Sequence, residues 1–406
     1  MFMEMREYIR DVLYKVIYEN GYASLILRHC PFRGRDAALI SEVVYGTLRN
    51  ITLLEKQWKP YVKKTDHRTA VLFDMSVYQM FFMQGIPVYA VINEAVNMAE
   101  KHQKKFVNAV LRQVERAGFH NEGELFEMTS HPEWMIRMWN AHYGEDVSEK
   151  IARSNQNRPK VYGRINTLKT TKEEIENDPC FHFVNDIGFT YDGVIQETEY
   201  FKDGRILIQN ISSQEVAKYL DAQEGMKVLD LCAAPGTKTQ QIAEMMHNKG
   251  YIVACDLYPQ RTKLIEQLME KTGITICRTK VNDAMKKGSF EKDSFDRILM
   301  DVPCSGMGDL SHKPEIRWHL KPEDIDDLLP VQKAILENGS EYLKPEGVLV
   351  YSTCTLNKRE NEKMVHGFLK EHPEFELISE RTIFPFETDG DGFYMAKLKK
   401  GEINIH

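Results

Sequence analysis

Residues 227–239 read KVLDLCAAPGTKT. A short aliphatic run stops at a proline–glycine pair, and the chain resumes as TKTQQIAEMM, whose apolar spacing of three and four is helical. A strand turning straight into a helix is the opening unit of an α/β domain. Working outward, GYIVACDL, ITICRTKV, RILMDVP and GVLVYST read as further strands. Between them PQRTKLIEQLMEK, PEDIDDLLPVQKAILENGSEYL and RENEKMVHGFLKEH read as helices. Short buried strands alternating with amphipathic helices predict an α/β fold, a doubly wound parallel sheet of Rossmann type over residues 216–406, with FYMAKLKK as its last strand.

Ligands of such sheets sit beyond the carboxyl ends of the strands, so the loops after each strand are the place to look. In the first, Pro235 fixes the approach and Gly236 lets the backbone turn close to a ligand. Cys232, Ala233, Ala234 and Thr237 complete the loop, and Lys238 opens the following helix. The loop is neither GxGxxG nor a phosphate P-loop, so a dinucleotide or ATP is not its natural ligand. Taken alone it is also compatible with a tight turn that binds nothing.

The next strands strengthen the ligand reading. CDLYPQR places Asp256 at a strand tip, where an acid accepts ribose hydroxyls, and Arg261 follows it. VNDA offers Asp283 as an acceptor for an adenine amino group, and the fourth strand ends at Asp301. One such acid could be a helix cap; three beside one loop suggest a nucleoside with a cationic, amino-acid end. S-adenosylmethionine fits that description.

Upstream the pattern differs. Residues 4–118 show helical periodicity throughout, in EYIRDVLYKVIY, RDAALISEVVYGTLRNITLLEKQW, RTAVLFDMSVYQMFFMQ, YAVINEAVNMAEKHQ and KKFVNAVLRQVERAG. Turns are expected at Gly34, Asp66, residues 85–87 and Gly118. Residues 130–157 read as a connecting helical segment. VYGRINTLK, KEEIEND, FHFVNDIGFTYDGV and RILIQN then form a small α+β module. The expected domains are thus residues 1–125, 126–215 and 216–406.

The totals are those of an ordinary globular chain: 406 residues, 42% hydrophobic and 28% charged. No apolar run is long enough for a membrane span, and the first residues lack a signal peptide's apolar block. Cytosolic residence, no membrane association and a monomer are the expectations. Residues 1–125 hold 17 basic and 14 acidic side chains, whereas the whole chain carries −7. The seven cysteines (30, 180, 232, 255, 277, 304 and 354) are odd in number and contain no CxxC pair. That argues against a disulfide framework and a zinc site, and no metal is expected. Cys30, Cys180, Cys255 and Cys277 read as small buried hydrophobes, and Cys232 as a backbone contributor to the cofactor loop. Cys304 and Cys354 stand apart, because both occupy strand-end loops on the ligand side.

DLCAAPGTKT, FDRILMDVPCSGMG and YSTCTLNKRENE together resemble the motifs of the RNA 5-methylcytosine methyltransferases, and RINTLK and QNISSQEVA resemble that family's leading motifs. DAALISEVVYGTLR, INEAVNMAEK and FVNAVLR are similar to the NusB-type RNA-binding domain carried by its bacterial small-subunit rRNA members. The resemblance covers nearly the whole chain. Thr237 departs from it, where many relatives have a second glycine. It implies S-adenosylmethionine as cofactor, RNA, and 16S rRNA in particular, as partner, and methylation of cytosine C5. It further implies Cys354 as the nucleophile that adds to C6, because C5 attacks a methyl sulfonium only once the ring has become an enamine. Asp301 would hydrogen-bond N3 through a protonated carboxyl. Cys304 would assist breakdown of the adduct. Lys238, expected to face the same cleft, is a source of positive charge for thiolate formation.

RNA contacts are expected from RNITLLEKQWKPYVKK, KHQKK, Arg33, Arg35, Arg49 and the module around Arg164. Arg317, Trp318 and His319 could grip RNA, or the tryptophan could simply anchor a loop. Rival readings are the same methyltransferase acting on tRNA or another RNA, an RNA-binding assembly factor with an inactive methyltransferase domain, and a methyltransferase for proteins or small molecules.

Overall fold

The structure, a computed structural model, describes residues 4–402. The chain forms two compact units, one of residues 1–158 and 310–321 and the other of residues 159–309 and 322–406. Among the described residues no helix is long and apolar enough to cross a membrane.

The first unit is helical, as its periodicity predicts. Met5–Tyr18, Gly34–Trp58, His67–Phe82, Val88–Met98 and Lys104–Ala117 are its main helices. Their apolar stripes meet in one core that includes Leu13, Val16, Ile40, Val44, Leu48, Phe73 and Leu111. Gly34, Gly85 and Gly118 take positive φ at the expected turns. Asp66 caps His67–Phe82 by accepting from the Thr69 N–H at 3.0 Å. Glu133–Tyr143 and Glu145–Ser154 belong to the same unit, although their sequence reads as a connector.

Residues 310–321 return to this unit from far along the chain. Arg317 is fully buried there. Its guanidinium donates to the carbonyls of Arg49 (2.8 Å), Thr129, Ser130 and Asn155 (2.8 Å), and to Gln156 Oε1. Trp318 Nε1 donates to the Leu48 carbonyl, and His319 Nε2 pairs with that of Val16. The expectation that Arg317 grips RNA is therefore corrected: it is an internal brace, and the tryptophan anchors its segment. Arg49 is likewise buried and donates to the Ser311 carbonyl. Arg33 and Arg35 are exposed.

The second unit opens with a four-stranded antiparallel sheet ordered β2-β3-β1-β4, made of β1 (Tyr162–Ile165), β2 (Phe181–Phe183), β3 (Gly188–Tyr191) and β4 (Ile206–Ile208). The larger sheet comprises β5 (Lys227–Asp230), β6 (Tyr251–Asp256), β7 (Cys277–Val281), β8 (Phe295–Asp301), β9 (Leu343–Thr353), β10 (Phe375–Ile383) and β11 (Phe393–Lys400). Its order is β10-β11-β9-β8-β5-β6-β7. Five strands are parallel, while β11 pairs antiparallel with both β9 and β10. The sheet is thus mixed rather than wholly parallel. β10 and β11 are consecutive, and the short connection between them leaves no room for a crossover helix, so they form antiparallel neighbours. β10 alternates buried and exposed residues as an edge strand does, and the strand reading of the sequence does not include it.

Candidate active site

Because β5, β6, β7, β8 and β9 run parallel, their carboxyl ends lie along one edge of the sheet. That edge carries Asp230, Asp256, Asp283, Asp301 and Cys354. Register does much of the placement, since Asp301 on β8 lies opposite Ser352 on β9.

The loop after β5 contains a cis Ala234–Pro235 bond, and Gly236 has φ +105°. Gly236 N–H donates to the Ala233 carbonyl at 2.7 Å, and Ala233 N–H to that of Cys255 at 2.8 Å. A Cβ on Gly236 would sit 3.3 Å from Ile265. The glycine therefore answers to the left-handed turn and to helix packing. Arg164, fully buried, braces this loop. It donates to the Thr237 carbonyl at 3.2 Å, to Glu244 at 2.7 Å, and to Gln209 and Gln240. The expected RNA contact at Arg164 is corrected accordingly, because the side chain has no exposed surface to offer.

Around the loop the acids are differently engaged. Asp256 is buried, accepts from Tyr258 N–H at 3.2 Å and has Arg261 Nε 3.5 Å from its other oxygen. Arg261 also donates to the Ala234 carbonyl at 3.2 Å, which ties the tip of β6 to the loop. Asp283, half-buried, accepts from Met285 N–H, and Lys286 lies 3.6 Å from its carboxylate. Burial pushes the Cys232 thiol well above its ordinary pKa, and the charges of Asp230, Asp301 and Asp256 raise it further. One half-buried thiol thus feels three acids at once.

At β8 and β9 the two singled-out thiols meet. Cys304 Sγ lies 3.4 Å from Cys354 Sγ, and both residues are half-buried. The hydrogen bond with Cys354 raises the Cys304 pKa well above its usual range, and burial and the nearby Cys354 and Glu360 charges add to this. Lys238 Nζ donates to Asp301 Oδ2 at 2.7 Å, and Ser352 Oγ donates to Oδ1 at 2.8 Å. Burial would lower the Lys238 pKa, but the charge and hydrogen bond of Asp301 outweigh it, Cys354 adds to the raising, and the ammonium is held above its usual value.

Four residues the sequence did not single out belong to this edge. Asp230 is fully buried; it accepts from Thr239 Oγ1 at 2.7 Å, and its other oxygen has no partner. Its signal was present, as an acid at the tip of the first strand. Ser352 was visible only as part of a strand. Ser305 and Glu360 bond each other behind the thiols. Nothing marked Glu360, because an acid within NKRENE reads as a solvated charge. Of the remaining cysteines, Cys30 and Cys255 lie within hydrophobic cores, Cys277 packs against one and Cys180 is half-buried.

Comparison with known proteins places these features in context. Residues 217–399 match the family model described as 16S rRNA methyltransferase RsmB/F. Residues 3–116 match the NusB family, and residues 131–178 match the RsmF/B-like ferredoxin-like domain. The chain is 34% identical to a Bacillus subtilis protein named probable ribosomal RNA small subunit methyltransferase B, with 98% of each chain covered. A Serratia proteamaculans ribosomal RNA small subunit methyltransferase B is 31% identical, with 90% of this chain and 91% of that one covered. Among solved structures, PH0851 is 25% identical with a TM-score of 0.81, covering 98% of this chain and all of that one. A methyltransferase homolog from Pyrococcus horikoshii is 27% identical with a TM-score of 0.61, covering 68% and 97%.

Proposed function

Because the chain belongs to the RsmB/F family of 16S rRNA methyltransferases, we propose that it methylates C5 of a cytosine in 16S rRNA through a covalent bond between Cys354 and C6. The observation that carries this reading is the 3.4 Å approach of Cys304 and Cys354 beside the Lys238–Asp301 pair.

The acids at the strand tips fit S-adenosylmethionine. Carboxylates accept from ribose hydroxyls and an ammonium and attract a sulfonium, whereas they would repel a phosphate. Asp256 would take the ribose, Asp283 the adenine edge, and the loop of Cys232, Ala233, Ala234, Pro235, Gly236, Thr237 and Lys238 the remainder. The bound cofactor supplies an electrophilic methyl group.

The chain's own groups do the rest. The Cys354 thiolate adds to C6, and the electron pair of the C5–C6 double bond is taken up as N3 gains a proton. That proton is the one shared between Lys238 and Asp301, delivered by Asp301 to N3. C5, now nucleophilic, accepts the methyl group. Loss of the C5 proton to a base then re-forms the double bond and expels the Cys354 thiolate, N3 returns its proton to the Lys238–Asp301 pair, and the Cys304 thiol beside the departing sulfur assists release. The target base must leave its stack to reach the thiols. We read residues 1–125 as the NusB-like RNA-binding part, 126–215 as the module that follows it and 216–406 as the catalytic part, in a cytosolic monomer.

The test is methyl transfer to 16S rRNA lacking its modifications, with the modified base mapped. Wild type should place the methyl on C5 of a cytosine. Cys354→Ala should abolish transfer and any covalent RNA complex, whereas Cys304→Ala should accumulate that complex as a slow band on a denaturing gel. Equal behaviour of the two variants would refute the division of labour.

A further inference from the structure

Behind the thiols lies a buried carboxylate that touches neither of them. Glu360 is fully buried between β9 and the helix Glu362–Glu371. Its Oε1 accepts from Ser305 N–H at 2.9 Å and from Gln332 Nε2 at 3.0 Å. Its Oε2 accepts from Ser305 Oγ at 2.6 Å and from Asn357 Nδ2 at 2.9 Å. Ser305 follows Cys304 directly, and Gln332 also donates to the Pro303 carbonyl at 2.9 Å. Both flanks of Cys304 are therefore held.

The same carboxylate is built into the turn that carries Cys354. Ser305 Oγ lies 2.7 Å from Thr355 Oγ1, next to Cys354. Tyr351 Oη donates to the Glu360 carbonyl at 2.7 Å, and Asn361 Nδ2 to that of Thr355 at 2.9 Å. We propose that Glu360 is a positioning residue for the reaction, tying the Cys304 turn to the Cys354 turn and so setting the approach of the two thiols. The proposal rests on the two-thiol reading above.

The chemistry of the group explains why a carboxylate stands here. An ionised carboxylate only accepts hydrogen bonds, and its two oxygens offer about four lone-pair sites. All four are used. A glutamine in its place would turn an N–H toward at least one of these donors. The two turns would not loosen equally. Cys354 directly follows β9, whose last residue, Thr353, is paired with Tyr394 of β11. Cys304 lies beyond the end of β8 and depends on Ser305 and Gln332. Loss of Glu360 should therefore displace the release thiol more than the nucleophile.

The test compares Glu360→Gln and Ser305→Ala with wild type and Cys304→Ala in the full chain. Four quantities are read: turnover on unmodified 16S rRNA, the fraction trapped as covalent complex, S-adenosylmethionine affinity and melting temperature. Glu360→Gln should turn over slower by on the order of a hundredfold, as misplacement by about an ångström does, and should accumulate the covalent complex with cofactor affinity unchanged. Ser305→Ala, which removes one donor, should do the same to a smaller degree and serves if Glu360→Gln does not fold. Wild-type turnover without trapped complex in both variants would overturn the assignment. So would a joint loss of cofactor binding and melting temperature without trapped complex, which a merely structural role produces. If Cys304→Ala itself traps nothing, the two-thiol reading falls with it; if only the Glu360 and Ser305 variants trap nothing, the Glu360 assignment falls alone.

Discussion

At the scale of single residues the site works by unequal environments for like groups. The Cys354 hydrogen bond and burial raise the Cys304 pKa, and in the proposed reaction the pair of thiols divides into two roles. The acids divide in the same way. Burial pushes Asp230 up to about 7; the Thr239 hydrogen bond opposes this and Asp301 adds to it. A carboxyl whose folded pKa is raised above its unfolded value of about 4 detracts from stability as pH rises between the two values, and the loss is complete above the folded one. Asp230→Asn should therefore match wild type near pH 4 and exceed it at pH 8, by on the order of 4 kcal/mol; melting curves at both pH values check this. Asp256→Ala should weaken cofactor binding by roughly tenfold or more, the loss of a charged acceptor. Calorimetry showing unchanged affinity would remove Asp256 from the ribose site.

Among elements, the parallel run of five strands is what converts scattered loops into one edge. KVLDLCAAPGTKT was legible as strand, turn and helix because its apolar pattern changes period at a proline–glycine pair. The reason for its glycine was not legible, since Ile265 lies on another helix and only packing brings it within 3.3 Å. Gly236→Ala should cost roughly 1–3 kcal/mol through the positive φ and the crowding by Ile265. It should also displace the loop, so cofactor affinity and urea midpoint should fall together. An affinity loss at unchanged stability would show instead that the ligand side is what the glycine serves. β10 was missed for a related reason: FELISERTI has a strand's alternation, but its place at an open edge is conferred by β11.

For the molecule as a whole, long-range burial decides what charge patterns cannot. Arg49, Arg164 and Arg317 are three basic side chains that a sequence assigns to RNA, and all three are buried. Arg317 joins segments near residues 49, 129 and 155 that lie more than 150 positions away. Arg317→Met should leave the carbonyls it serves without their donor and cost about 3 kcal/mol or more, read as a lowered urea midpoint. Arg317→Lys should recover only part of this, because an ammonium lacks the guanidinium's planar fork. By itself the sequence determined the helical and α/β parts, the strand-end loops, the three acids and the two cysteines. Periodicity and turn chemistry are local, and parallel strands place their loops at one edge without further information. Tertiary structure alone decided which arginines are internal, that Asp301 is paired with Lys238, that the thiols lie 3.4 Å apart, and that Glu360 ties their turns together. Each of these depends on burial and on partners distant in the chain, and neither is written in the residues that flank them.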